Sequence, residues 1–212
     1  MQFPNHLIKE AERRMEPYDV EGFVLGHGDA NGKVMLIGEA PGENEAVEGK
    51  PFIGRAGKEL DKQLEELGLK REDIYITSVV RSRPYRWVKT NKKNAGGKRK
   101  ANRKPNQKEI NAHASLLDYQ IEKMKPKIIL TLGGVAFERV TGRKDKISEI
   151  IGSVIDTPVM KVKDADKGIY EPSEEIYQVI PLYHPAAVFY NPKIKQTIDQ
   201  SLDQVKKFLP DS

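Results

Sequence analysis

Apolar residues recur along this chain with two periods, and the alternation between them lays out the elements. Residues 33–38, 73–80, 127–132 and 175–182 are short runs rich in Val, Ile, Leu and Tyr, the signature of strands buried on both faces. Between them the spacing turns helical. Leu60, Leu64 and Leu67 share a face over 56–68, which Gly68 ends. Ile110, Leu116, Leu117 and Ile121 share one over 105–124, and a helix over 135–141 follows Gly133-Gly134. After the Asn191-Pro192 break, a last helix over 193–209 turns Ile194, Ile198, Leu202 and Phe208 inward. Leu7, Ile8 and Ala11 mark a short helix over 3–15, and 23–29 reads as a short strand leading into a turn. Residues 81–105 show no period and are punctuated by Pro84, Gly96, Gly97 and Pro105, so they read as a long loop; 147–159 reads as irregular. Strands alternating with helices predict an α/β fold, a three-layer α/β/α sandwich around a central, mostly parallel four-stranded sheet. No repeat or linker interrupts it, so residues 1–212 read as one domain carrying 81–105 as an insertion.

Charge changes this picture at one place. The chain of 212 residues has a net charge of +5, yet 81–108 holds twelve basic residues and no acid, which leaves a net −7 on the remainder. A basic block on an otherwise acidic protein is a localised anion-seeking surface, and nucleic acid is the partner it suggests. Cysteine is absent, which excludes disulfides, thiolate metal sites and cysteine nucleophiles. No apolar run approaches the ~18 residues of a membrane span, and the N-terminus lacks a signal-peptide layout, so a cytoplasmic monomer without membrane contact is expected. His6, His27 and His113 make no ligand spacing with carboxylates, and no metal or cofactor is expected.

The candidate chemistry sits where two strand-like runs end. Residues 33–38 run into Glu39-Ala40-Pro41-Gly42-Glu43-Asn44-Glu45, and 179–183 run into His184-Pro185-Ala186-Ala187. In open α/β sheets, ligands bind beyond the carboxyl ends of the strands. Two such loops facing one pocket would set a carboxylate across from an imidazole.

Together the motifs resemble the family 4 branch of the uracil-DNA glycosylases. The resemblance runs through Gly38-Glu39-Ala40-Pro41-Gly42, Gly49-Lys50-Pro51-Phe52-Ile53-Gly54-Arg55-Ala56-Gly57, and Tyr75-Ile76-Thr77-Ser78-Val79-Val80-Arg81-Ser82-Arg83-Pro84. It continues through Gln120-Ile121 and Leu130-Thr131-Leu132-Gly133, and closes at His184-Pro185-Ala186. It implies a monofunctional enzyme that flips a uracil or related base out of DNA and hydrolyses its N-glycosidic bond. By this resemblance His184 donates to the departing base, Glu39 positions water and stabilises the sugar cation, and Glu45 is the second carboxylate. Ala40, Pro41, Gly42, Phe52 and Ser78 would bind the base. Arg83, Lys98, Arg99, Lys100, Asn102, Arg103 and Ala186 would contact DNA, with Tyr85 and Trp87 as stacking groups.

Three departures accompany the likeness. The family's cluster cysteines have Ser82 and His113 at two of their positions, and the other two have no counterpart here. Ser78 stands where the family has an asparagine. Residues 96–105 resemble the loop of a related branch that becomes attached to the abasic sugar through a histidine, at whose place stands Asn102. A non-catalytic DNA-binding or damage-sensing protein of the same fold is the alternative; a hydrolase of free nucleosides would leave the basic block without a purpose.

Overall fold

Each apolar run of the sequence becomes a strand that needs cover on both faces, and the chain supplies it with helices. The computed structural model describes residues 1–90 and 97–210. α1 (Asn5–Met15) leads to two short strands, β1 (Val20–Glu21) and β2 (His27–Gly28), and then to β3 (Val34–Gly38). α2 (Glu43–Glu48) and α3 (Arg55–Leu67) precede β4 (Tyr75–Ser78), which is followed by β5 (Arg83–Lys89) and β6 (Lys98–Asn102). Then come α4 (Gln107–Met124), β7 (Ile128–Leu132), α5 (Gly134–Thr141) and the short α6 (Ile147–Ile150). β8 (Ile155–Asp164), β9 (Ile169–Leu182), α7 (Ala187–Tyr190) and α8 (Lys195–Lys206) complete the chain.

The main sheet has six strands in the order β2-β4-β3-β7-β9-β8, not four. Its inner four, β4, β3, β7 and β9, are parallel, while β2 and β8 are antiparallel edges. The four apolar runs found in the sequence are these inner strands. The β2 edge falls within 23–29, read as a short strand; the β8 edge escaped detection because an edge is recruited by main-chain hydrogen bonds and needs no apolar alternation. β8 falls partly in the stretch read as irregular: most of its residues are half-buried, and it pairs with β9 through two irregularities in register. β9 likewise starts earlier than expected, its first half lying in this exposed hairpin.

Alternation along the inner strands divides the core in two. Met35 and Ile37 face a cluster with Ile110, Leu117 and Ile121 of α4 and Val135, Phe137 and Val140 of α5. Val34 and Leu36 face the other, with Leu60, Leu64 and Leu67 of α3 and Ile198, Leu202 and Val205 of α8. α3 stops where expected, at Gly68 with φ of 73°. α4 starts at a capping box in which Asn106 and Glu109 satisfy each other's backbone N–H groups. α8 is shorter than expected; it ends at Lys206 and leaves Phe208 exposed.

The basic stretch 81–105 is not a loop. Arg83–Lys89 and Lys98–Asn102 pair as an antiparallel hairpin, which β1 extends to a second, three-stranded sheet. Basic residues at 83, 86 and 89 of one strand and at 98, 99 and 100 of the other follow no two-residue period, so the strand pattern was hidden. The expected loop positions Lys92, Lys93 and Gly96 lie outside the described residues.

Candidate active site

β3 ends by lending its last carbonyls to the chain beside it. Gly38 O accepts from Val79 N (2.9 Å) and Glu39 O from Val80 N (3.0 Å), which pins Glu39 at the carboxyl edge of the sheet next to the end of β4. A cavity of about 630 Å³ opens there, within the usual range for a small-molecule site. It gathers Glu39, Ala40, Pro41, Gly42, Glu45, Phe52, Ser78, Asn102, Arg103, His184 and Ala186. Of the residues expected at the site, Arg83, Lys98, Arg99 and Lys100 do not line it. Burial raises the carboxyl of Glu39 above its ordinary value, and the charge of Lys104 opposes that shift.

Glu45 lies deeper and has a different employment. It is buried on α2, and its Oε1 accepts from Ile53 N (2.9 Å) and Gly54 N (2.8 Å). From the other side, Arg71 donates to the carbonyls of Pro51 (3.2 Å), Phe52 and Gly57 (3.3 Å). The two side chains clamp residues 51–54 and hold Phe52 at φ of 53°, a conformation that costs a non-glycine residue energy. The Phe52 ring then lies on the backbone of Gly38, where an added Cβ would come within 2.5 Å of it. Gly57 has no room for a Cβ either, which would sit 1.9 Å from Phe52 O. Both glycines of the motif exist to let Phe52 in.

His184 follows β9, with its ring centroid 6.0 Å from that of Phe52. Ala186 N donates to Nδ1 (3.1 Å), so in the neutral ring the proton is on Nε2. Burial lowers the imidazole's pKa, although the charge of Glu45 acts against it. The result is a neutral donor. Ser78, buried at the end of β4, donates its hydroxyl to Val80 O (3.0 Å) and offers the pocket lone pairs only.

Beneath Ser78 runs a buried polar network. Gln120 Oε1 accepts from Thr77 Oγ1 (3.0 Å) and from Arg81, and Gln120 Nε2 donates to Tyr75 OH (3.1 Å). Arg81 is wholly buried and its pKa falls to about 10 through burial. His113, also wholly buried, packs its ring 5.8 Å from Phe23 and hydrogen-bonds Glu109 O through Nδ1 (3.0 Å). Its pKa is held down to about 3, chiefly by burial, with Arg81 adding to the effect. A thiolate cluster does not fit here: the two positions that resemble its ligands carry a buried serine and an imidazole packed against an aromatic ring. Among the described residues, no three His, Asp or Glu side chains come together to hold a metal ion.

The hairpin delivers Asn102, Arg103 and Lys104 to the pocket. Arg83, expected at the DNA, is buried. It pairs with Glu21 and donates from Nε to Asn102 Oδ1 (2.6 Å), which turns the Asn102 amide NH2 toward Gly42. Lys100 also pairs with Glu21, and Arg103 with the buried Glu109 (2.5 Å). These three cations brace the hairpin on the body; Lys98 and Arg99 are exposed and have no ion-pair partner among the described residues. Several lining residues were not expected from the sequence, among them two cations and two aromatics. Arg55 sits 3.8 Å from the ring centroid of Phe189, and Tyr190 and Lys104 stand at the rim. Arg55 lay inside a quoted motif and Lys104 inside the basic run, but nothing in the pattern marked the two aromatics.

A family model described as the uracil DNA glycosylase superfamily matches residues 25–210. The chain is 36% identical over 191 residues to a type-4 uracil-DNA glycosylase of Saccharolobus solfataricus, covering 88% of this chain and 76% of that protein. It is 31% identical over 189 residues to one from Thermotoga maritima (88% and 82%) and 30% identical over 185 residues to one from Archaeoglobus fulgidus (86% and 80%).

Proposed function

The chain belongs to the uracil DNA glycosylase superfamily, and on that premise we propose how its pocket releases uracil from DNA as a monofunctional glycosylase. The observation that carries the reading is the pairing, in one cavity, of a half-buried carboxylate, Glu39, with a neutral imidazole, His184, whose N–H is on the nitrogen not engaged by the backbone. Breaking the glycosidic bond sends its electron pair onto the base and leaves the sugar cationic. His184 Nε2–H donates to the base oxygen that gains charge, and an uncharged donor in a dry site stabilises the anion without giving up its proton. Glu39 orients the attacking water, takes its proton as the bond to the anomeric carbon forms, and faces the sugar's positive charge. Phe52 stacks on the base, and Ser78 Oγ accepts from its N3–H. The backbone of Ala40, Pro41 and Gly42 lies along the base, Ala186 and the Asn102 amide meet the DNA backbone at the rim, and Lys98 and Arg99 grip flanking phosphates.

The same reading takes residues 1–212 as one domain, whose two core clusters on opposite faces of the sheet support a three-layer α/β/α arrangement. On this reading the protein acts on DNA in the cytoplasm, as a monomer. The test is mass-spectrometric detection of free base from a panel of lesion-bearing oligonucleotides. Free uracil from the native protein, reduced at least 100-fold in Glu39→Gln and in His184→Ala, is the expected result. Release of no base from any oligonucleotide would overturn the enzymatic reading.

A further inference from the structure

Trp87 is the chain's only tryptophan, and it stands 55% exposed on the hairpin. Its face can be traced from the strand register. Tyr85 pairs with Asn102, Trp87 with Lys100 and Lys89 with Lys98, so alternation puts all six side chains on one side of the hairpin. At one end of that face Asn102 lines the pocket; at the other, Lys89 and Lys98 lie open to solvent with no ion-pair partner among the described residues. Two residues of strand separate Trp87 from the Asn102 pair, about 7 Å.

The two aromatic rings are not equivalent. Lys100 Nζ, tied to Glu21, lies 4.3 Å from the Tyr85 ring centroid and takes that face; it stands farther, at 5.8 Å, from the Trp87 centroid, and Trp87 stays more than half exposed. Tyr85 and Trp87 meet edge to face, 5.9 Å between centroids at 84°. Tyr85 and Lys100 therefore act as a bracket that holds the Trp87 indole upright and leaves it exposed. A large rigid ring in a field of lysines, continuous with a base-binding pocket, is a stacking platform for a nucleobase.

We infer that Trp87 binds an unpaired nucleotide next to the one in the pocket, and that the preferred substrate of this protein is single-stranded DNA. Stacking needs a base whose face is free; in a duplex both faces are covered by neighbours, whereas phosphate contacts form with either. The inference rests on the proposed function for its choice of nucleic acid, and its test is independent of catalysis. Fluorescence excited at the red edge of tryptophan absorption, where the tyrosines do not absorb, reports Trp87 alone. Titration with uracil-free oligo(dT) should quench it saturably, in step with binding followed by anisotropy of a labelled oligonucleotide, and a duplex of equal length should leave it nearly unchanged. Trp87→Ala should weaken oligo(dT) binding about tenfold or more and duplex binding little, and Trp87→Phe should recover most of the loss. Binding of oligo(dT) with unaltered emission, equal quenching by the duplex, or equal losses on both DNAs in Trp87→Ala would overturn the inference. Uracil release, measured separately on the same preparation, shows whether the catalytic reading stands or falls by itself.

Discussion

Glu39 and Glu45 are the two carboxylates at the site that were expected to do chemistry, and replacing Glu45 separates their roles. Its Oε1 takes the N–H groups of Ile53 and Gly54. A hydrogen bond to a charged group contributes about 1.5–3 kcal/mol. Both donors are half-buried and partly reachable by water, so the low end applies, and Glu45→Ala should cost about 3 kcal/mol. Glu45→Gln keeps an oxygen in the same place and loses only the charge, which should cost about 1 kcal/mol. Urea denaturation followed by circular dichroism measures both. With a slope of roughly 2 kcal/mol per molar, the midpoint should fall by about 1.5 M for alanine and about 0.5 M for glutamine. Uracil release then decides the chemistry. If Glu45 is a brace for the Phe52 loop, Glu45→Gln stays within about tenfold of the native rate, while Glu39→Gln loses 100-fold or more. A Glu45→Gln protein of near-native stability that loses 100-fold would refute this reasoning and make Glu45 the catalytic carboxylate.

Other consequences are open to direct measurement. Glu39 is raised above the ordinary 4.5 and must be ionised, and His184 is lowered below 6.5 and must be neutral, so kcat should fall on the acid side with a midpoint above the ordinary carboxylate value of 4.5. A Glu39→Gln profile with the same acid limb would remove Glu39 from it. Because burial holds the folded His113 down to about 3 while the unfolded imidazole titrates near 6.5, its contribution is intact above pH 6.5 and declines as pH falls. Relative to His113→Leu, the native protein should lose about 2 kcal/mol between pH 7 and pH 5; parallel stability curves would contradict this. Alanine at both Lys98 and Arg99 should flatten the dependence of log K on log salt by up to about 0.9 per side chain, in filter-binding assays on any sequence. Ser78→Asn should speed uracil release, because an amide adds a donor that the committed serine hydroxyl lacks; slower release would mean that the Val80 contact matters more.

The parts of this protein that depend on neighbours in sequence were legible without a structure. The four inner strands announced themselves because burial on both faces demands unbroken apolar runs, and Gly68 marked a helix end because its backbone is left-handed there. The motifs ending at Glu39 and His184 were legible too, since a strand that stops in a Gly/Pro turn leaves its polar groups at the sheet's carboxyl edge. What tertiary structure alone decided is where charge ends up. Arg83 and Lys100 looked like surface cations, and only the pairing of β1 with β5 and of β5 with β6 brings Glu21 to both. Glu39 and Glu45 are the same residue type six positions apart, yet one faces the pocket and the other the N–H groups of residues 53 and 54. The hairpin and the β8 edge were invisible for a related reason: they are held by main-chain bonds, and such bonds leave no mark on the order of side chains.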